Sequence, residues 1–401
     1  MELLDDHPVP ERALDLKHEA REFAAEHIMP NAAYYYESGE YPHDILQAGM
    51  DAGLIAQDIG EEYGGRGLDL HQVLAIAEEF YRADAGIALT LQLASFGAEI
   101  LEEHGDEELK EEFLRPVATN EQITGLAVSE RDTGSDLAGM STTAEKDTAE
   151  QSSASSASTE ATQNGDEYVL NGEKYWIGNG VEADWVTVYA KTADDPNNRY
   201  GNYSLFVVPT DTDGYEAEHI PEKMAFRASK QAHVTFEDCR VPEDQLIGVE
   251  GAGFYMLAEF FNQGRVIVGG HGIGLAAAAL EEAWDFVHDR EAFGRSVDEF
   301  QSVQHKLADM RTEFEAARAL NWRAADHVAD SDNAGFWAAM AKLKSTETAN
   351  DCAQKAMQLH GGRSVLTERR VARVYRDVRV PVIYEGANDI QRNLIYNQTP
   401  K

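Results

Sequence analysis

The sequence predicts an α+β chain in which a helical segment, a small antiparallel β-barrel-like domain and an antiparallel helix bundle follow one another. In residues 1–122 and 244–401, apolar side chains recur every three or four positions, which is the helical period. In residues 123–243, they form short runs rich in β-branched and aromatic residues, bounded by Gly, Asn, Asp and Pro. These ranges are the three predicted domains, and 401 residues are ample for them.

The first segment reads as a series of helices. Within residues 11–28, the side chains of Leu16, Ala20 and Phe23 recur at helical intervals. Further helices are predicted over 42–53 and 70–81, with glycine and proline breaks between them. We therefore expect an N-terminal domain without strands.

The middle segment contains five candidate strands, which are residues 122–128, 168–177, 185–189, 204–208 and 233–236. Between the first two lies the stretch 147–166, which has no large apolar residue. Such a segment buries too little apolar surface to offset the entropy lost on ordering. We expect it to be a flexible, solvated insertion rather than a binding motif.

The last segment predicts three long helices over 251–290, 300–330 and 334–360, followed by two shorter ones. In the second long helix, Leu307, Met310 and Phe314 form one apolar stripe. The pattern is typical of a four-helix bundle. The glycine-rich run 269–274 lies inside helical sequence, so it predicts close helix packing rather than a phosphate-binding loop.

The chain is strongly acidic, with 72 Asp+Glu against 34 Lys+Arg and a formal net charge of −38. Such a surface is tolerable where salt screens it, which suggests a halophilic host. It also argues against nucleic acid and anionic membranes as partners, because both require basic patches.

Cysteine usage and the N-terminus bear on the compartment. Cys239 and Cys352 are the two cysteines, and their spacing fits no metal motif, so we expect neither a disulfide framework nor a metal site. The first residues lack the basic and apolar regions of a signal peptide. No apolar run reaches 18 residues, so membrane insertion is not expected. A cytoplasmic location follows as the expectation.

Four local patterns are candidates for chemistry. Residues 126–136 run from a strand into a polar loop that could grip a ring edge or a phosphate, or could be an ordinary turn. Trp176 leaves its strand at a turn, where it could stack on a flat cofactor or fill the core. Residues 290–294 and 358–362 combine an arginine or amides with glycines, which suits a diphosphate and an adenine but also occurs in solvated helix caps.

The fourth pattern is residues 382–392, where Glu385 follows apolar residues just before a predicted helix start. Burial there would raise the pKa of Glu385 toward that of a general base. In a chain with 72 acids the pattern by itself is only suggestive.

Together, and in this helix–β–helix order, the patterns resemble the acyl-CoA dehydrogenase family over essentially the whole chain. The motifs that carry the resemblance are Ser129-Glu130 with Gly134-Ser135-Asp136, Trp176-Ile177, Arg290 with Phe293-Gly294, Gln358 with Gly361-Gly362, and Tyr384-Glu385-Gly386 with Gln391-Arg392. The resemblance implies an FAD enzyme that oxidises an acyl-CoA thioester to the trans-2-enoyl-CoA. Glu385 would remove the α proton, a hydride would pass to flavin N5, and an electron-transfer flavoprotein would take the electrons.

The resemblance also implies binding roles. The residues at the flavin ring would be Leu126, Val128, Ser129, Gly134, Ser135, Trp176, Ile177 and Gly178. Those reaching the diphosphate and adenine of FAD bound by a neighbouring subunit would be Arg290, Gln301, Gln358, Leu359, Gly361 and Gly362. The other residues expected to bind FAD would be Phe293, Ala387 and Asp389. Those at the substrate would be Ser135, Asn262, Arg265, Tyr384, Glu385 and Gly386. Sharing FAD between subunits implies a homotetramer or a dimer of dimers.

Several residues depart from the family pattern. Gly178 stands where a Thr or Ser usually follows Trp-Ile, Arg131 replaces a Pro, Asn262 replaces an Asp, and Ala387 replaces a Thr. Gly264 occupies the helical position that carries the base in some members, which leaves Glu385 as the positional candidate. The alternatives are an acyl-CoA oxidase, a nitroalkane-oxidising relative, or a flavin-bound DNA-protective relative using the arginines of residues 368–379.

Overall fold

The computed structural model describes residues 9–147, 166–330 and 333–399. The predicted insertion therefore lies almost wholly outside the described residues. The N-terminal helices are α1 (Glu11–Phe23), continued by a π-helical turn (Ala24–Ile28), α2 (Ala32–Ser38), α3 (His43–Asp51), α4 (Leu70–Ala83), α5 (Ala85–Gln92), α6 (Ala98–His104), α7 (Glu107–Leu109), and α8 (Arg115–Ala118) after a π-helical turn (Lys110–Leu114). Asp69 caps α4 through a capping box with Gln72.

The strands of the middle segment form one sheet. They are β1 (Thr124–Ala127), β2 (Thr143–Asp147), β3 (Glu167–Gly178), β4 (Trp185–Lys191), β5 (Tyr203–Pro209), β6 (Tyr215–His219), β7 (Gln231–Pro242) and β8 (Leu246–Ile247). The order across the sheet is β6-β7-β3-β2-β4-β5-β8, and β1 pairs with β4. The strands β2 and β6 were missed because each is short, polar and half-solvated.

One part of the predicted topology needs correction, since the sheet is mixed rather than wholly antiparallel. Thr124 to Ala127 of β1 run parallel to Trp185 to Val188 of β4. A parallel pair requires a long crossover between its strands, and here β2 and β3 supply it. The last residues of β1 are thereby buried at the start of the polar loop singled out above.

The C-terminal segment contains three long helices, α9 (Gly253–Asp289), α10 (Gln301–Ala329) and α11 (Ala334–His360), and two short ones, α12 (Arg370–Asp377) and α13 (Asn388–Gln398). A two-residue hairpin, β9 (Glu291–Ala292) with β10 (Arg295–Ser296), joins α9 to α10. Within the described residues, the C-terminal segment supplies only three long helices of the predicted four-helix bundle. The fourth helix against α9 is α4, from the N-terminal segment.

The helix α9 is the core of this packing. By length and composition it could cross a membrane, but 89% of its most apolar window is buried inside the protein. Its glycines explain how it is surrounded. A Cβ atom on Gly272 would lie 2.7 Å from the backbone of Ser345 on α11, and one on Gly274 would lie 2.6 Å from the carbonyl oxygen of Glu78 on α4. The glycine run therefore serves close helix packing, as predicted.

Buried ions join α4 to α10. The carboxylate of Glu78 accepts hydrogen bonds from the guanidinium of Arg318 (2.9 Å for the closest pair) and from Nε1 of Trp322 (2.9 Å). Arg318 is 2% exposed, so loss of either ionic partner would leave a buried charge. The cluster fixes α4 against the bundle on one wall of the cavity described next.

Candidate active site

A cavity of about 1050 Å³ lies where the three segments meet. Its walls come from α4, α5 and α6, from the polar loop after β1 and the end of β3, and from α9 with the segment before α13. The lining is mostly apolar with a few convergent polar groups, which is typical of a cofactor or substrate site. Glu385, Ser129, Trp176 and Arg265 all line it.

Glu385 sits in a constrained turn before α13. Its φ is +54°, and that of Gly386 is +83°, so two successive residues adopt left-handed backbone conformations. Gln391, which is fully buried, donates hydrogen bonds to the carbonyl oxygens of Glu385 (3.3 Å) and Gly386 (2.8 Å). The turn thus aims the Glu385 side chain into the cavity while α13 holds its backbone.

The carboxylate of Glu385 is poised for proton transfer. Its Oε2 atom is buried and has no hydrogen-bond partner among the described residues. Burial raises the pKa of Glu385 to about 7, and the positive charges of Arg265 and Lys342 oppose that rise. A carboxyl group with a pKa near neutrality suits a general base.

Gly264 on α9 makes the space that this carboxylate occupies. A Cβ atom on Gly264 would lie 2.9 Å from Oε2 of Glu385, closer than real Cβ contacts. The next residue, Arg265, donates a hydrogen bond from Nη1 to Oδ1 of Asn262 (3.0 Å), while its Nε is buried without a partner among the described residues. The Glu385 carboxylate and Arg265 therefore both border the cavity beside this turn of α9.

The loop after β1 is locked from behind by Glu130. Its carboxylate accepts hydrogen bonds from the backbone and hydroxyl groups of Ser141 and Thr142, at 2.7 to 2.8 Å, and from Nζ of the buried Lys174 at 3.1 Å. Burial opposes its ionisation, but Lys174 and these donors outweigh burial and lower the pKa of Glu130 to about 2. Glu130 thus holds the loop, which leaves Ser129 to face the cavity.

Trp176 reaches the cavity through an irregularity in the sheet. The pairing of β3 with β7 shifts register between Tyr175 and Ile177, and Trp176 has a φ of +68°. A bulge of this kind turns a side chain away from the alternating pattern of its strand. As a result the indole is 55% exposed and lines the cavity instead of filling the core.

Gly178 and Leu93 are complementary. A Cβ atom on Gly178 would lie 2.4 Å from Cδ1 of Leu93, and both residues line the cavity. The apolar leucine thus fills the space of the side chain that Gly178 lacks. A Thr or Ser side chain at position 178 would therefore overlap Leu93, which comes from the N-terminal segment.

Three stacked side chains close the cavity beside Glu385. The rings of Tyr81 and His271 are parallel, with centroids 3.8 Å apart, and Nδ1 of His271 hydrogen-bonds the hydroxyl of Tyr384. Burial raises the pKa values of both tyrosines and lowers the pKa of His271, so all three are neutral near pH 7. The cluster is uncharged, polar and fully packed between α4 and α9.

The same architecture occurs in known proteins. Models of the acyl-CoA dehydrogenase N-terminal, middle and C-terminal domains match residues 10–121, 125–239 and 251–399. The mitochondrial short-chain specific acyl-CoA dehydrogenase of Rattus norvegicus is 34% identical over 389 residues, which cover 96% of this chain and 90% of the rat protein.

Two solved structures are similar over nearly the whole chain. Butyryl-CoA dehydrogenase from Megasphaera elsdenii gives a TM-score of 0.89 at 29% identity and covers 98% of this chain and 99% of its own. A chain in the structure of the electron transferring flavoprotein of Acidaminococcus fermentans gives 0.89 at 31% identity, with 98% of both chains covered. The chain belongs to the acyl-CoA dehydrogenase family.

Members of this family are FAD-dependent oxidoreductases of fatty acid β-oxidation that act on CH–CH bonds, and FAD is the cofactor of this chain. The described residues fit such a group. The exposed face of Trp176 suits a flat ring, and no atom lies within 4 Å of a Cβ atom built on Gly134, so the loop is open to a ligand. The unpartnered Nε of Arg265 suits an anionic ligand.

The acyl-CoA dehydrogenase motifs fall into two places. The cavity brings together the following predicted site residues: Leu126, Val128, Ser129, Gly134, Ser135, Trp176, Ile177, Gly178, Arg265, Tyr384, Glu385, Gly386 and Ala387. It does not bring in the following: Asn262, Arg290, Phe293, Gln301, Gln358, Leu359, Gly361, Gly362 and Asp389. Of these, Asn262 holds Arg265, and Asp389 lies with Ala387 on a neighbouring surface pocket of about 670 Å³.

The remaining distant residues lie together at one end of the bundle, where α9 and α11 end and α10 begins. The ring of His360 stacks on Phe286 with centroids 4.2 Å apart, which brings the two helix ends together. Arg290 is exposed and Phe293 is 96% exposed. Arg265 at the cavity is half-buried, whereas Arg290 is solvated within one chain.

The arginines of residues 368–379 do not form a free basic face. Arg370 lies 3.6 Å from Glu281, Arg373 is 9% exposed, and Arg376 lies over the ring of Tyr36. Most of the positive charge in this segment is therefore used within the chain. The DNA-protective alternative required a free basic surface at residues 368–379, and the structure does not present one there.

Sequence reasoning missed four residues of the site, namely Leu93, Lys342, Tyr81 and His271. Lys342 and His271 lie at apolar positions of long helices, and a polar residue in an apolar stripe was the available signal. Tyr81 and Leu93 look like ordinary core residues in the sequence. Their importance to the site is visible only from the residues they contact, which are His271 for Tyr81 and Gly178 for Leu93.

Proposed function

We propose that this chain is an acyl-CoA dehydrogenase in which Glu385 removes the α proton of an acyl-CoA thioester, giving the trans-2-enoyl-CoA. The observation that carries the proposal is the Glu385 carboxylate itself. It is buried at the cavity wall, unpartnered among the described residues, and its pKa is raised to about 7 by burial. FAD, when bound, supplies the acceptor for the hydride that leaves the β carbon.

The chain also supplies a donor for the thioester carbonyl. No acceptor among the described residues takes the backbone N–H of Glu385. A thioester oxygen at that N–H would place the α carbon beside the carboxylate of the same residue. Hydrogen bonding to the carbonyl stabilises the charge that develops as the α proton leaves, so one strained turn serves both functions.

The substrate in this proposal is a short acyl-CoA. Seven residues of α9 separate Gly264, beside the base, from His271, which is about 10 Å at 1.5 Å per residue. Beyond that level the stacked rings of Tyr81 and His271 fill the space between α4 and α9. An acyl chain running along α9 past Glu385 would therefore meet this wall within about 10 Å. The names of the rat and Megasphaera relatives agree with this class.

The residues at the far end of the bundle support assembly into a homotetramer or a dimer of dimers. Arg265 and Asp289 are 24 residues apart on α9, or about 36 Å. At this distance from Glu385, three parts of the chain cannot contact the end of a ligand that Glu385 contacts. They are Arg290, Gln301 and the 358–362 segment. In this proposal they hold the diphosphate and adenine of FAD that is bound mainly by another copy.

Further parts of the proposal concern the setting of the enzyme. Electrons would leave to an electron-transfer flavoprotein, as the Acidaminococcus neighbour suggests. The net charge of −38 supports a halophilic, cytoplasmic enzyme whose stability rises with KCl. A melting temperature that is flat or falling from low to multimolar KCl would remove the halophilic part alone.

The test is anaerobic addition of butyryl-, isobutyryl- and octanoyl-CoA to the FAD-loaded protein in multimolar KCl. Bleaching of the flavin absorbance is expected, strongest with butyryl-CoA. Glu385→Gln should bind the same ligands without bleaching. No bleaching with any thioester would refute dehydrogenation, and full bleaching by Glu385→Gln would move the base elsewhere. Peroxide released in step with substrate loss would instead indicate an oxidase.

A further inference from the structure

Lys342 on α11 is buried directly behind the turn that carries Glu385. It is 0% exposed, and its Nζ donates hydrogen bonds to the carbonyl oxygen of Gly386 (2.9 Å) and to Oδ1 of Asn388 (2.9 Å). Neither acceptor carries a charge. A lysine placed in this way is costly, because burial disfavours the ammonium form and lowers the pKa of Lys342 to about 7, while the negative charge of Glu385 opposes that fall.

Both acceptors belong to the turn of the base. Gly386 follows Glu385, and the two residues hold φ values of +83° and +54°. Its carbonyl is held from two sides, by Nζ of Lys342 and by Nε2 of Gln391. The amide of Asn388 is held in turn by Oγ1 of Thr346, one turn further along α11. Lys342 is thus the charged member of a clamp on a strained backbone.

Two cations face the Glu385 carboxylate among the described residues, Arg265 from α9 and Lys342 from α11. The other titratable groups beside it are Tyr384 on its own segment, Tyr81 from α4 and His271 from α9, and burial keeps all three neutral near pH 7.

Arg265 and Lys342 differ in access. Arg265 lines the cavity, where an anionic ligand would share its charge, whereas Lys342 does not line it. Lys342 is therefore the cation whose effect on Glu385 persists when the cavity is full.

We propose that Lys342 is a positioning residue of the base: by holding the Gly386 carbonyl and Asn388, it fixes the Glu385 turn, and in its ammonium form it places a positive charge beside the carboxylate. This inference rests on the proposed function. It adds a residue that never touches the substrate and acts through the backbone next to Glu385. Removing it should slow proton abstraction without weakening ligand binding.

The test uses Lys342→Met in the FAD-loaded protein, with Lys344→Met as control. Lys344 lies two residues on, is partly exposed and pairs with Glu313. The rate of flavin bleaching by saturating butyryl-CoA is measured against pH. For Lys342→Met we expect the midpoint to move up by about one pH unit or more, because a cation beside the carboxylate is lost. At pH 7 the bleaching rate should fall about fivefold for a midpoint shift of one pH unit, because the ionised fraction of the base drops from about one half to about one tenth.

The binding constant for butyryl-CoA should stay within about threefold, because Lys342 is outside the cavity, and Lys344→Met should match wild type throughout. An unchanged midpoint, or a loss of binding that parallels the loss of rate, would overturn the inference. If Lys342→Met does not fold, Lys342→Gln replaces it. The glutamine retains a donor for Gly386 but lacks the charge, so the same rise in midpoint is expected.

A second readout separates this inference from the proposed function. The carboxylic acid C=O stretch of Glu385, taken as the infrared difference between each protein and its Glu385→Gln partner, is titrated without substrate. Its midpoint should rise in Lys342→Met, even if no thioester bleaches the flavin of wild type. Failure of bleaching in wild type refutes dehydrogenation, whereas an unmoved infrared midpoint refutes the role of Lys342.

Discussion

The Glu385 carboxylate occupies the space that a side chain at Gly264 would fill, with Oε2 only 2.9 Å from the position of a Cβ atom there. The two residues are 121 positions apart in the sequence and come from α9 and from the segment before α13. The Glu385 carboxylate can therefore take this position only because residue 264 has no side chain.

Gly264→Ala should therefore separate stability from activity. Alanine favours an interior helical position by about 1 kcal/mol over glycine, and the atom it meets is the free end of a side chain that can turn away. We expect an unchanged or higher melting temperature together with a bleaching rate lowered about tenfold, for a loss of about 1.4 kcal/mol of transition-state stabilisation. An unchanged bleaching rate in Gly264→Ala would contradict the pairing.

The pH dependence of flavin reduction should follow Glu385. Its pKa is raised to about 7 by burial. Under the proposed function, the ionised carboxylate is the active form. The bleaching rate should be highest above pH 7 and fall as the pH drops through that value, approaching a tenfold loss per unit. Stopped-flow measurement between pH 5.5 and about 9 tests this. A rate that is flat to pH 5 would mean that the carboxyl is not the base.

The stack of Tyr81 on His271 should limit acyl chain length. Replacing His271 with alanine removes one ring and opens a path between α4 and α9 beyond the base. We expect the ratio of kcat/KM for octanoyl-CoA to that for butyryl-CoA to rise about tenfold, because about two methylenes gain an apolar site at about 0.8 kcal/mol each when buried. Tyr81→Leu should act in the same direction. An unchanged ratio in both variants would place the limit elsewhere.

Gly178→Thr should destabilise the protein and reduce FAD binding when made alone. A second substitution at Leu93 should reverse both effects. The new Cβ atom would lie 2.4 Å from Cδ1 of Leu93, and overpacking of this kind typically costs about 1–3 kcal/mol. We expect a lower melting temperature and less bound FAD. Gly178→Thr with Leu93→Ala should recover both relative to the single variant. Equal FAD content in the single variant and wild type would show that the neighbouring helix gives way freely.

Glu130→Gln should lower the free energy of unfolding, because Lys174 loses its ionic partner in a buried site behind the loop that presents Ser129. Breaking such a pair costs about 3–5 kcal/mol. Because the pKa of Glu130 is lowered to about 2, its stabilisation is complete above its unfolded pKa and is lost as pH falls toward 2. Denaturant unfolding at pH 7 should detect the loss. Glu173→Gln, an exposed acid on the adjoining strand, is the control and should cost less than about 1 kcal/mol.

Much of the fold could be predicted from the sequence, because it depends on local patterns. The period of apolar residues gave the long helices, and the glycine run within α9 was correctly attributed to close packing. The domain limits of 1–122, 123–243 and 244–401 stay a prediction. The mixed sheet could not be predicted, since which strand lies beside β1 depends on a crossover rather than on any residue of β1.

The candidate site divides in the same way. Glu385, Ser129 and Trp176 could be named from motifs, because each combines an unusual residue with a turn. Their electrostatics could not, because the pKa of Glu385 depends on burial and on Arg265 and Lys342, which are 120 and 43 positions away.

Motifs and periodicity in the chain were enough to name candidate residues for the chemistry and the order of helices and strands that carries them. The three-dimensional packing was needed to show which residues share space. These pairs are Gly264 with Glu385, Leu93 with Gly178, Tyr81 with His271, and Lys342 with Gly386. The physical reason is that packing and electrostatic interactions act over a few ångströms in space, whatever the separation along the chain.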